Sequence, residues 1–200
     1  MAENQNRIVR RVLLGAAVMF ALPMQDSLKP TCNRCQATFI DHREIEQYLD
    51  RVPPATTVSD QQIRAVDVGK SNVDVAVVYR GKLTGPSPVA VHEQVSEVYH
   101  ILDGSATLVT GPDIEGFKRR AADHPSVRML NGPGGDGTSI KNGVSHELRG
   151  GDVIVIPAGT GHWFTRIDDH IRYLMIRVDP DKVTPLKDAA AAQADLRGNR

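Results

Sequence analysis

The stretch Gly151 to Trp163, GDVIVIPAGTGHW, constrains the fold more than any other part of the chain. Val153, Ile154, Val155 and Ile156 form an apolar, β-branched run, the composition of a short buried strand. Pro157 removes a backbone donor, and Gly159 and Gly161 permit positive φ, so the strand stops and turns there. His162 follows the turn directly. A rigid strand and a tight turn therefore hold one imidazole at a set point, which is how a metal ligand is best delivered.

The flanking sequence is built the same way. Short apolar runs lie between glycines and prolines: Ile63–Val68, Val73–Tyr79 closed by Gly81, Val89–His92, Val98–Leu102, Ala106–Val109, and Ile171–Val178 stopped by Asp179 and Pro180. This pattern predicts an all-β sandwich or barrel. Asp103-Gly104 reads as a hairpin turn between two of the runs, and Leu83–Pro88 as a turn-rich loop. The section 111–142 is different, with a charged piece (FKRRAADHPSVR) and a glycine-rich piece (LNGPGGDGTSIKNG). It is expected to be a rim loop or lid. No strand-to-helix frame or Gly-Lys-Ser/Thr accompanies those glycines, so they do not make a phosphate cradle.

The N-terminal part has its own organisation. Arg7, Arg10 and Arg11 precede an apolar run, Val12–Leu22, that is too short to span a bilayer as a relaxed helix. Residues 1–25 thus read as a secretory signal, which makes the protein periplasmic or secreted. The competing reading is an apolar helix docked on the barrel of a cytoplasmic protein. Residues 26–60 are an extension carrying Cys32 and Cys35, the chain's one CxxC. A structural zinc site needs a second pair, and none exists. The two cysteines are a local disulfide if the protein is exported, and free thiols or a redox pair if it is not. Asp41–Arg51 places Ile45, Tyr48 and Leu49 at helical spacing, and Val52-Pro53-Pro54 ends that helix. The barrel is expected over 61–180 and a tail over 181–200, where the alanine-rich Lys187–Leu196 forms a terminal helix or frays.

The spacing of the first stretch is Gly151, Pro157, Gly159, His162, and it resembles the second sequence motif of the cupin superfamily at each of those positions. The family's closing Asn is Arg166 here. The first cupin motif has a weakened counterpart in VAVHEQVSEVYHILDG, Val89 to Gly104. Glu97 and Gly104 keep the motif's spacing, His92 stands at the place of its second His, and Ala90 falls at the place of its first. The resemblance covers roughly residues 61–180. It implies a double-stranded β-helix, or jelly-roll barrel, with a short helical N-terminal extension. It also implies a metal held by His92, Glu97 and His162.

Strand alternation adds the neighbours of that set. If His92, Glu97 and His162 point inward, then Tyr99, Phe164 and Arg166 do too, while His100 points outward. Tyr99 and Arg166 are the candidate catalytic residues, one moving a proton and the other gripping a carboxylate. Gln94, Tyr99, Phe164 and Arg166 are the candidate substrate contacts. A salt bridge between Glu97 and Arg166 is the alternative to a metal. His146 lies in a turn-like segment and is expected to be exposed. Two imidazoles and a carboxylate suit iron(II) first, and also manganese, zinc or nickel.

The cupin resemblance implies a metal-dependent enzyme on a small organic substrate, an oxygenase first, with a lyase or isomerase as the alternative and a non-enzymatic binder as the third reading. Lys plus Arg and Asp plus Glu are 24 each, and aromatics are 4% of the chain, so neither a nucleic-acid surface nor a base-stacking platform is expected. No membrane partner is expected once the signal is removed. A homodimer through sheet augmentation is what the resemblance implies for assembly.

Overall fold

The computed structural model describes residues 30–32 and 35–198. The apolar stretch read as a targeting segment lies outside the described residues. Cys32 and Cys35 are joined as a disulfide, with Cα atoms 5.7 Å apart. Helix α1, His42–Leu49, is capped by Asp41, whose carboxylate accepts the Arg43 N–H at 2.8 Å. It buries Tyr48 and Leu49 in a small cluster with Ile63, Val77 and Ala192.

The strands are β1 (Val58–Asp67), β2 (Asn72–Gly81), β3 (Val89–His92), β4 (Ser96–Gly111), β5 (Asp113–Glu115), β6 (Lys118–Arg119), β7 (Gly134–Gly137), β8 (Ser139–Lys141), β9 (Val144–Arg149), β10 (Val153–Ile156), β11 (Gly161–Arg166) and β12 (His170–Asp179). All their pairings are antiparallel. The main sheet runs β1-β2-β12-β4-β11-β3-β7-β6, with β9 and β10 also on β4, and β5-β8 form a separate ribbon. Helix α2, Ala189–Gly198, closes the chain and gives Tyr48 Oη an acceptor, the Ala192 carbonyl, at 3.0 Å. Among the described residues no helix is long and apolar enough to cross a membrane.

Strand β4 makes the sheet curl. Its first half pairs with β10 and β12, and its second half with β9 and β11. Asp103-Gly104 is therefore not a hairpin turn, as its composition suggested, but a bend inside one strand of 16 residues. Gly104 sits at φ +76°, and a Cβ there would collide with the His170 carbonyl. Tyr99, Ile101, Leu108, Phe164, Ile171 and Tyr173 pack between the two halves as the main core.

Two further expectations change. Val153–Ile156 is not a buried strand: β10 pairs only with β4 among the described residues, and Val153 and Val155 are 61% and 63% exposed. The section 111–142 is not a plain loop either. It contains β5 to β8 and a short π-helix, Val127–Asn131, and β7 pairs with β3. Its charged and glycine-rich pieces thus form one wall of the barrel interior.

Candidate metal centre

His92 ends β3 and Glu97 is the second residue of β4, so one short turn separates them. Glu97, Tyr99 and Ile101 alternate as buried residues along β4, while His100 points outward and is exposed. His162 is the second residue of β11, just past the turn that begins at Pro157. That turn closes with Thr160 N–H on the Pro157 carbonyl at 3.0 Å. Gly159, at φ +81°, then donates its N–H to the His92 carbonyl at 2.7 Å. One backbone hydrogen bond thus ties the segment carrying His162 to the strand carrying His92.

The three side chains meet. His92 Nε2 lies 3.4 Å from Glu97 Oε1, and His162 Nε2 lies 3.6 Å from Glu97 Oε2. One donor atom from each falls within 4.8 Å of the others, and all three residues are buried. Tyr99 Oη donates to Glu97 Oε2 at 2.7 Å. Thr160 O accepts from His162 Nδ1 at 3.3 Å, so this ring carries its proton on Nδ1 and presents a lone pair from Nε2. His92 Nδ1 is buried and has no partner among the described residues.

The protonation states suit a cation. Burial pushes the His92 imidazole down to about 3, against the pull of Glu97. Burial also lowers His162, so both rings are neutral at physiological pH. Burial works against charge on Glu97, but the two imidazoles, protonated at the low pH where this carboxyl titrates, the Arg177 guanidinium and the Tyr99 hydroxyl outweigh it and hold the carboxylate at about 2. Two neutral imidazoles and an ionised carboxylate, buried and with donor atoms converging, are what a divalent transition metal requires.

Beside this set lies a cavity of about 340 Å³, lined among others by Ala90, Arg80, Asp60, Arg120, His124 and Asp136. Ala90 is the register partner of His162, so a methyl group occupies the strand position facing the second imidazole. Under Glu97 lies Arg177, fully buried, with Nε 3.5 Å from Glu97 Oε1 and Nη2 paired to Asp60. The Glu97 ion pair with Arg166, the alternative to a metal, is not formed, and Arg177 lies against Glu97 instead.

The remaining candidates fall in different places. Tyr99 lines the cavity and holds Glu97. Gln94 is half-buried in the turn between His92 and Glu97 and does not line the cavity. Phe164 is core, under the Arg80 guanidinium at 4.5 Å and beside the Tyr173 ring. Arg166 is exposed and pairs with Glu147 and Asp168 on the outer surface. A register shift between Phe164 and Arg166 inserts one extra residue, and the bulge turns Arg166 outward. His146 is not in a turn but in β9, half-buried, with Nε2 3.0 Å from Thr110 Oγ1.

A curled antiparallel sheet, with the His162 turn closing on the His92 strand inside it, decides the architecture. The arrangement resembles the double-stranded β-helix of cupins. No protein-family model matches the sequence, and no curated protein matches it. Solved structures with a similar outline include an RmlC-like cupin with a double-stranded β-helix fold from Methanocaldococcus jannaschii, at 10% identity over 66% of this chain and 91% of that one, with a TM-score of 0.38. DMSP lyase DddQ from Ruegeria pomeroyi is another, at 16% identity over 69% of this chain and 56% of that one, TM-score 0.41. KdgF from Halomonas sp. is a third, at 10% identity over 64% and 85%, TM-score 0.40. The likeness is one of outline alone, and the chemistry of the centre follows from its own residues.

Proposed function

We propose that the protein is a metal-dependent cupin enzyme that acts on a small organic molecule, with an oxygenase reaction as the first assignment. The observation that carries this reading is the convergence of His92, Glu97 and His162 at the wall of a half-open cavity. Three ligands leave an octahedral ion about three open positions, room for both a chelating substrate and dioxygen. A divalent metal, iron(II) first and manganese, zinc or nickel otherwise, would supply Lewis acidity and, if iron, a route to dioxygen.

The chain's own residues orient and exclude. Thr160 fixes the His162 ring, and Tyr99 fixes the Glu97 carboxylate. Burial and the neighbouring carboxylate push the Tyr99 hydroxyl well above its ordinary value, so it works as a hydrogen-bond donor rather than as a base. A lyase or isomerase is the second reading, and the cavity-lining His124 favours it as a group able to carry a proton. A binder without catalysis is the third, and metal content separates it from both enzymes.

Export and a homodimer belong to the same proposal. The Cys32–Cys35 disulfide supports export, and mass spectrometry of the mature N-terminus tests it. Exposed Val153 and Val155 on the edge strand β10 are apolar surface a second copy would cover, and light scattering reads the mass.

Elemental analysis of the purified protein tests the central claim: about one equivalent of transition metal per chain is expected, lost in His162→Ala with β-rich circular dichroism retained. Unchanged metal content in that variant, or less than about a tenth of an equivalent in the wild type, overturns the metal reading. For the oxygenase assignment, nitric oxide added to the iron(II)-loaded protein should give a half-integer-spin iron–nitrosyl resonance. Its absence removes dioxygen chemistry from consideration.

A further inference from the structure

Charge in the cavity is matched before any cation enters. Asp60, Glu97 and Asp136 are its carboxylates. Arg177 lies against both Asp60 and Glu97, and Arg120 Nε donates to Asp136 at 2.9 Å. Arg80 is the exception. Among the described residues no carboxylate lies within ion-pair distance of its guanidinium. Its Nε donates instead to Tyr173 Oη at 3.0 Å, and its plane rests on Phe164. The neutral partners fix this guanidinium at the cavity wall and leave its outer nitrogens without an anion.

A divalent ion at His92, Glu97 and His162 adds two positive charges to an interior whose three carboxylates are already balanced by three guanidinia, those of Arg177, Arg120 and Arg80. The cavity then holds an excess of positive charge, less screened than in bulk water, with Arg80 open at its edge. His124, also on the lining, adds no negative charge.

We propose that the substrate is a small organic acid, its carboxylate gripped by Arg80 while its other end reaches the His92–Glu97–His162 set. The assignment rests on the metal reading above. A planar guanidinium presents paired donors that match a carboxylate, and its anchoring on Tyr173 and Phe164 orients them in advance. The cavity of about 340 Å³ admits an acid of a few carbons.

Calorimetric titration tests this with the carboxylates from acetate to glutarate, each against its amide, on protein whose metal content is measured in the same sample. At least one carboxylate should bind, with its amide weaker by about tenfold or more. Arg80→Met should weaken that carboxylate by about tenfold or more with metal content unchanged. Arg80→Lys keeps the charge and loses the fork, so it should fall between the two, and it serves where Arg80→Met does not fold. The same titration on metal-free His162→Ala should keep the preference for carboxylate over amide at lower affinity. A wild type that lacks metal yet shows Arg80-dependent preference would sink the metal reading and leave this one standing. No carboxylate bound, amides bound equally well, or affinity indifferent to both Arg80 variants would overturn the proposal.

Discussion

Arg177 and Glu97 are register partners on β12 and β4, both shut off from solvent, with Nε 3.5 Å from Oε1. A buried guanidinium thus compensates the carboxylate whether or not a metal does. Removing it leaves Glu97 and Asp60 without that compensation. Arg177→Met should cost about 3–5 kcal/mol of stability in metal-stripped protein. In metal-loaded protein the cost should be smaller, because the ion then neutralises Glu97 itself. Urea unfolding of both forms, with and without added metal, reads the difference. Equal costs would mean that Arg177 acts through packing alone.

Gly159 carries the hydrogen bond that joins the two ligand-bearing segments, and it does so at positive φ with open space where a side chain would stand. Gly159→Ala should therefore fail through backbone strain and not through collision, at about 1 kcal/mol. Metal affinity should fall with it, since the His162 turn loses its fixed seat on His92. Competition against a chelator measures that loss. A stable variant with unchanged affinity would show that the turn holds without the bond.

Ala90 lines the cavity and pairs in register with His162. Ala90→His should place a third imidazole beside the first two and raise metal affinity by on the order of tenfold or more. It should also take one of about three open positions and leave two, so the iron-loaded protein should still bind nitric oxide with an altered resonance shape. Unchanged metal affinity would mean that a side chain at position 90 does not face the ion.

Far from the metal set, Thr184 Oγ1 lies 3.0 Å from Asp74 Oδ2 and 2.7 Å from Asp179 Oδ2. One hydroxyl proton cannot serve both acceptors, so a proton on the Asp74 carboxyl relieves the conflict. Burial lifts Asp74 from 3.8 to about 6, with the Asp179 charge adding to it and Thr184 and Arg177 opposing. The folded state therefore holds this proton more tightly than the unfolded chain. Its contribution is fully present below about pH 4 and is lost as pH rises through about 6. Asp74→Asn, compared with wild type at matched pH, should gain on the order of 2 kcal/mol at pH 8 and little at pH 4. A difference that does not change with pH would mean that Asp74 does not titrate in this range.

Much of the centre was readable because it depends on spacing within short segments. His92, Glu97 and His162 sit at strand and turn positions that local sequence sets. Arg166 was misplaced because the bulge before it has no signature in GHWFTR; an inserted residue shows only against a partner strand. Arg177 could have been found. It alternates with Ile171, Tyr173 and Met175 along β12, and all four are buried, so a buried arginine was legible. Its partners were not, because they depend on register across β4 and β1. Arg120, His124 and Asp136 reach the cavity from 111–142, whose charged composition has no period to read. The sheet switch at Gly104 was hidden for a related reason. The same dipeptide serves a hairpin or a bend, and the neighbouring strands choose between them.

His92 and Glu97 flank a single turn, whereas His162 arrives only after six further strands have been laid down. A random coil therefore offers an ion a loose pair of donors, and only the closed barrel offers the third. Any ion that fits acts as a clasp, since it binds the finished molecule far better than the unfinished one. The melting temperature should climb steadily with the logarithm of free metal, and starving cells of that metal should deplete the protein itself as well as its activity.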